Sequence, residues 1–412
     1  MHRFKYKDGS LYCENVNVAR IAKEVGTPLY IYSKNTLLDH YRKIRNALRE
    51  VSPLICFSVK SNSNLAVLKT LVAAGAGLDI VSGGELYRAK LVKADPGKIV
   101  YAGVGKKRDE IMDAIRYGIF FFNVESDEEL ALINTCAGEM KRKVNVAVRI
   151  NPDVRVLTHD YITTGMGGTK FGVDFKRARA IFRSSWKYRN TRIRGVHIHI
   201  GSQILGARPF QNAIKKVLKF LEANKIVVEY LNIGGGLGIV YSLEKPQTAS
   251  RFAKDILPLV RKSKLKLILE PGRFISGNSG IMVTKVLFRK RTGQKNFIIV
   301  DSGMNDFVRP SLYEAYHTIA PVTKPQGRVK KRRYDIVGPI CESGDFLAKN
   351  RTLPAVAQGS LLAVMGAGAY GYTMSSNYNS RPRAPEVMVD KKRFFVVKKR
   401  EAYKDLVEGE AY

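Results

Sequence analysis

The chain has 412 residues, 45% of them hydrophobic and 9% aromatic, which excludes a disordered polymer and supplies apolar surface for two cores. No uninterrupted apolar run is long enough to cross a bilayer, and Met1-His2-Arg3-Phe4-Lys5 leads into no secretory h-region, so a cytoplasmic address is expected. Seventy Lys and Arg against 36 Asp and Glu leave a net charge of +34, but the basic residues are dispersed in short clusters such as Arg328-Val329-Lys330-Lys331-Arg332-Arg333, outside any nucleic-acid-binding motif; they read as a solvated surface with non-specific attraction for polyanions.

Residues 1 to about 33 hold short alternating segments, among them Leu29-Tyr30-Ile31-Tyr32, that read as strands with distant partners. From about residue 35, helical and strand-like patterns alternate. Leu37–Leu48 has helical spacing. Strands are predicted at Leu54–Lys60, Leu78–Val81, Lys98–Tyr101, Ile119–Asn123, Val144–Ile150, Ile193–Ile200, Val227–Ile233 and Leu265–Glu270. Between them lie helix-length stretches such as Leu65–Ala74, Glu85–Lys93, Ser126–Cys136 and Phe210–Ala223. Eight such units in succession predict an α/β fold, a (β/α)8 TIM-like barrel over residues 34–274. The longer interval between the fifth and sixth strands predicts an inserted loop around residues 152–172. After about residue 275 the helical pattern stops. Ile281–Phe288, Phe297–Val300, Arg333–Val337, Leu361–Val364 and Phe394–Lys398 read as strands of a mainly β domain, 275–412, completed by residues 1–33.

In such a barrel the chemistry sits at the carboxyl ends of the strands. The residues with chemical potential in this chain fall there. Lys60 closes the first strand in Phe57-Ser58-Val59-Lys60-Ser61-Asn62-Ser63-Asn64; a lysine desolvated at such a position has a lowered pKa and an amine able to attack a carbonyl. Asp79 and the Ser82-Gly83-Gly84-Glu85 turn mark the second strand, and Arg149 with Asn151 the fifth. His197 and His199 share one face at the end of the sixth, so alternation does not choose between them; His199 stands nearer Gly201-Ser202 and the mouth. Gly234-Gly235-Gly236-Leu237-Gly238 follows the seventh strand. It suits close backbone approach to a phosphate, although a plain turn uses the same residues; it lacks the spacing of a dinucleotide fingerprint. Glu270-Pro271-Gly272-Arg273 ends the eighth. The cysteines at 13, 56, 136 and 341 form no CxxC pair, so neither a metal site nor a disulfide framework is expected.

Taken together, VKSNSN around Lys60, HIHIGSQI, LNIGGGLG and EPGR resemble the fold type III decarboxylases that use pyridoxal 5'-phosphate (PLP). Gly338-Pro339-Ile340-Cys341-Glu342-Ser343-Gly344-Asp345, Arg309-Pro310-Ser311-Leu312-Tyr313 and Gly368-Ala369-Tyr370-Gly371 narrow the resemblance to the diaminopimelate decarboxylase family, from Thr27 to Val387. Ser61 stands where that family usually has Ala. The resemblance implies decarboxylation of meso-2,6-diaminopimelate to L-lysine, with Lys60 holding PLP covalently and Glu270 bonding its ring nitrogen. It further implies His199 against the ring face, and Ser202, Gly235, Gly236, Pro271, Gly272 and Arg273 around the cofactor, chiefly its phosphate. Cys341 is implied as the proton donor. Arg273 and Arg309 are implied on the distal carboxylate, with Tyr313, Glu342 and Tyr370 completing the substrate contacts and Tyr370 lining the cofactor as well. A homodimer with shared active sites follows from the same resemblance. Ornithine, arginine or carboxynorspermidine are the alternative substrates, and Arg309 argues against those that lack a distal carboxylate.

Overall fold

The computed structural model describes residues 2–154, 169–327 and 329–411. The chain divides into two compact units: residues 39–239 with 245–274, and residues 1–38 with 240–244 and 275–412.

The first unit is a closed barrel of eight parallel strands: Leu54–Ser58, Gly77–Ile80, Ile99–Tyr101, Phe121–Val124, Val144–Arg149, Thr191–His197, Tyr230–Asn232 and Lys266–Leu269. The last closes on the first through Leu269 opposite Ile55. Cys56, Val100, Phe121, Ala147 and Ile268 fill the interior against Leu54, Phe120 and Tyr230, which stand at or just before the beginnings of their strands. That apolar plug at the amino-terminal end leaves the polar residues to gather at the carboxyl ends. Helices follow the strands, each started by a short polar side chain where the sequence offers one. Ser82 caps Gly83–Leu91, Ser126 caps Asp127–Glu139, and Asp174 caps Phe175–Arg183 through bonds to the third helical N–H.

The second unit is mainly β. Leu29–Ser33 pairs antiparallel with Gly280–Thr292 and parallel with Glu386–Asp390, so the N-terminal segment is an interior strand of a nine-stranded sheet. Leu29, Ile31, Ile281, Val283, Val387 and Val389 form the buried face. A (β/α)8 barrel with a β domain completed by the N-terminus is therefore what the chain builds.

Local boundaries differ in two places that matter. The strand expected at Ile193–Ile200 ends at His197, which leaves His199 in the loop that follows. The first strand ends at Ser58 rather than Lys60, because residues 59–61 turn into a single 3-10 turn closed by Asn62 N–H to the Val59 carbonyl at 3.0 Å. The Ser61 hydroxyl donates back to the Ser58 carbonyl at 2.8 Å and stiffens that turn. Most of the insertion expected at residues 152–172 lies outside the described residues.

Candidate active site

Glu270 is the centre of the barrel mouth. It follows the eighth strand, is buried, and receives three side chains from other strands. Its Oε1 accepts from Asn123 Nδ2 at 2.9 Å and from Asn232 Nδ2 at 2.6 Å, and its Oε2 lies 3.1 Å from His197 Nε2. Burial alone would raise the carboxyl pKa. The adjacent His197 ring and the Asn232 amide outweigh burial and hold it well below the usual carboxylate range. The barrel thus keeps a buried carboxylate ionised.

The glycine loop is tied to the same carboxylate. Asn232 Oδ1 accepts from Gly234 N–H at 2.9 Å, and Glu270 N–H donates to the Gly234 carbonyl at 2.8 Å. A Cβ on Gly235 would stand 2.3 Å from the Glu270 carbonyl oxygen, and one on Gly236 2.5 Å from that of Gly201. Only a residue without a side chain allows this packing. Gly272 is similarly pressed against Ser61 and Ser58, which brings the Pro271-Gly272 turn beside the Lys60 turn.

His199 lies two residues beyond its strand. Its Nδ1 accepts from Gly235 N–H at 3.1 Å. Burial, then the charges of Lys60 and Arg149, push its pKa well below the ordinary value, so the ring is neutral. Ser202 Oγ accepts from Arg273 Nε and Nη2, both at 3.1 Å, and Arg273 is itself buried. Asp79 accepts from Ser58 Oγ at 2.6 Å; burial, followed by the charge of Glu270, raises its pKa well above the carboxylate range, while Lys60 opposes the shift. Glu85 accepts from Val81 N–H at 2.8 Å and is pushed up to about 7, chiefly by burial. Lys60 is exposed rather than buried, standing one residue into its turn.

The barrel unit therefore collects Lys60, His199, Ser202, Gly235, Gly236, Glu270, Pro271, Gly272 and Arg273 at one end. Sequence reasoning assigned no role to His197, Asn123 or Asn232. His197 Nδ1 and Asn123 Oδ1 are buried without a partner among the described residues. This donor set fits PLP: an amine, an ionised carboxylate for a protonated ring nitrogen, a flat neutral imidazole, and a hydroxyl held by a guanidinium beside a glycine loop.

The comparisons agree. Residues 34–277 match the pyridoxal-dependent decarboxylase, pyridoxal binding domain family. The diaminopimelate decarboxylase of Aquifex aeolicus is 48% identical over 408 residues, 98% of this chain and 96% of that protein. The chain belongs to the diaminopimelate decarboxylase family. A diaminopimelate decarboxylase of Vibrio cholerae is 46% identical over 98% of each chain. A crystal structure of the Helicobacter pylori diaminopimelate decarboxylase complexed with L-lysine superposes with a TM-score of 0.91 at 39% identity, covering 95% of this chain and 98% of that one.

The family residues of the β unit have their own setting. Arg309 is buried at the start of the Arg309–Tyr313 helix, with Tyr241, Tyr313 and Tyr370 facing its guanidinium at 5.6, 5.6 and 6.0 Å. Tyr370 is half-buried, with a left-handed backbone, φ +55°. Cys341 and Glu342 are exposed on the loop after Lys331–Val337. Asp345 holds that loop by accepting from Ile340 and Met304 N–H, both at 2.7 Å, and Asn379 Oδ1 accepts from Cys341 N–H at 2.8 Å.

Proposed function

We propose that this chain decarboxylates meso-2,6-diaminopimelate to L-lysine and CO₂ with PLP, the final step of lysine biosynthesis. The observation that carries the reading is the ionised Glu270, held by His197, Asn123 and Asn232 at the mouth of the barrel that bears Lys60. Bound PLP supplies an electron sink for the pair released when CO₂ departs. Glu270 keeps a proton on the ring nitrogen and so strengthens that sink. His199, neutral and anchored by Gly235, would face the ring, and the glycine loop and Ser202 would hold the phosphate. Lys60 would supply the amine that anchors the cofactor.

Substrate choice rests on the second carboxylate. Arg309 supplies a forked cation for it, with Arg273, Tyr313, Glu342 and Tyr370 as further contacts. Cys341, exposed and fixed through its backbone, donates the proton that replaces CO₂. The enzyme works as a cytoplasmic homodimer in which each protomer lends the Cys341-Glu342 loop to the other. The test is CO₂ release from meso-diaminopimelate, ornithine and arginine in parallel with added PLP. Turnover confined to diaminopimelate supports the reading, and preferential turnover of either other substrate refutes it.

A further inference from the structure

The β unit contains a buried histidine that no step above uses. His317 lies eight residues after Arg309 and is fully buried. The short Arg309–Tyr313 helix ends at Glu314 in a left-handed conformation, φ +50°, and the chain turns back before the Ile319–Pro321 strand. That strand pairs with Leu361–Val364, and Met365 N–H extends the pairing to the Thr318 carbonyl at 2.8 Å. The register delivers the Met365 carbonyl to His317 Nδ1 at 2.9 Å. On the other side of the ring, Arg309 Nε donates to His317 Nε2 at 3.2 Å.

These two partners fix the tautomer. A carbonyl oxygen only accepts and a guanidinium N–H only donates, so the proton sits on Nδ1 and the lone pair on Nε2. The rings of Tyr241 and Phe307 meet the imidazole edge-on at 4.8 and 4.7 Å and hold its plane. The backbone therefore sets the imidazole, and the imidazole sets the plane of the guanidinium.

We propose that His317 is a positioning residue that pre-orients Arg309 for the distal carboxylate and so contributes to the selection of substrates that carry one. The proposal rests on the role given to Arg309 above. An arginine without this mount has to be ordered each time a ligand binds, and the cost appears in binding rather than in the bond-breaking step.

The test uses the PLP-loaded enzyme and the variants His317→Phe, His317→Asn and His317→Gln. Phe keeps the ring between Tyr241 and Phe307 but removes both nitrogens. Asn can still donate to the Met365 carbonyl but is too short to accept from Arg309. Gln restores an acceptor near the Nε2 position. The readouts are kcat and KM for meso-diaminopimelate, with inhibition constants for L-lysine and 1,5-diaminopentane, which differ by one carboxylate. Phe and Asn should raise KM and the lysine inhibition constant roughly tenfold, the loss of one hydrogen bond to a charged group. In both, kcat and the diaminopentane constant should stay within about twofold of wild type, and Gln should recover most of the loss. Equal weakening of lysine and diaminopentane, or a fall in kcat alone, would overturn the proposal. Arg309→Lys separates the two claims. A raised KM there with none in the His317 variants refutes His317 alone, whereas an unchanged KM in Arg309→Lys refutes the reading of Arg309.

Discussion

Glu270 Oε2 lies 3.1 Å from His197 Nε2, although their strands are not neighbours in the barrel. The Tyr230–Asn232 strand runs between them, and its last residue, Asn232, bonds the other oxygen of the same carboxylate. An acid ringed in this way stays charged where burial alone would neutralise it. Glu270→Gln keeps the shape and removes the charge. The expected outcome is a fall in kcat of about a hundredfold or more with the protein still folded and able to take up PLP, read by CO₂ release and cofactor absorbance.

Asn232 joins the carboxylate to the glycine loop through both ends of its amide. Asn232→Ala should therefore weaken PLP retention and lower kcat together, each by roughly tenfold, since it removes one bond to a charged group and one to the loop. Equilibrium dialysis of PLP measures the first and steady-state turnover the second. A change in only one of them would contradict the coupling.

Asp306 is buried in the β unit, accepts from Gly303 N–H at 3.1 Å, and is pushed up from 3.8 to about 7, chiefly by burial. Its folded pKa lies above its unfolded one, so the folded state binds more protons between about pH 4 and 7. Stability from this group is complete below its unfolded pKa and is lost as pH rises through about 7, with a slope of up to about 1.4 kcal/mol per pH unit. Asp306→Asn should remove that slope, checked by comparing denaturant midpoints of wild type and variant across this range.

Shared sites in a dimer make a prediction that separate sites do not. Lys60→Ala and Cys341→Ala should each be inactive or nearly so as pure proteins. After subunit exchange in equal amounts, half of the dimers pair Lys60 of one protomer with Cys341 of the other. About a quarter of wild-type activity should return. No recovery after verified exchange would show that both residues act within one protomer.

Much of this was legible in the sequence. Eight strand-and-helix periods give the barrel, and the chemical residues fall at the carboxyl ends of the strands, the end where this fold gathers its polar groups. The gaps have physical causes. Asn123 and Asn232 fall inside the predicted strands Ile119–Asn123 and Val227–Ile233, and strand periodicity alone does not say that the closed barrel aims both amides at Glu270. His197 and His199 have the same parity. Only the strand ending at His197 makes one an inward bond partner of Glu270 and the other a loop residue bonded to Gly235. The Ala249–Ser263 helix carries Pro258 in its interior, a residue that ordinarily ends a helix, and packing of Phe252, Ile256, Leu257 and Val260 outweighs it. Lys60 falls past its strand because the Asn62–Val59 turn bond takes over two residues early.

The most direct measurement concerns which lysine carries the cofactor. The holoenzyme would be treated with borohydride, digested, and its pyridoxyl-modified peptide sequenced by mass spectrometry. Lys60 should be the single modified residue, with no modification in Lys60→Ala. A pyridoxyl group on any other lysine, with Lys60 unmodified, would contradict that assignment.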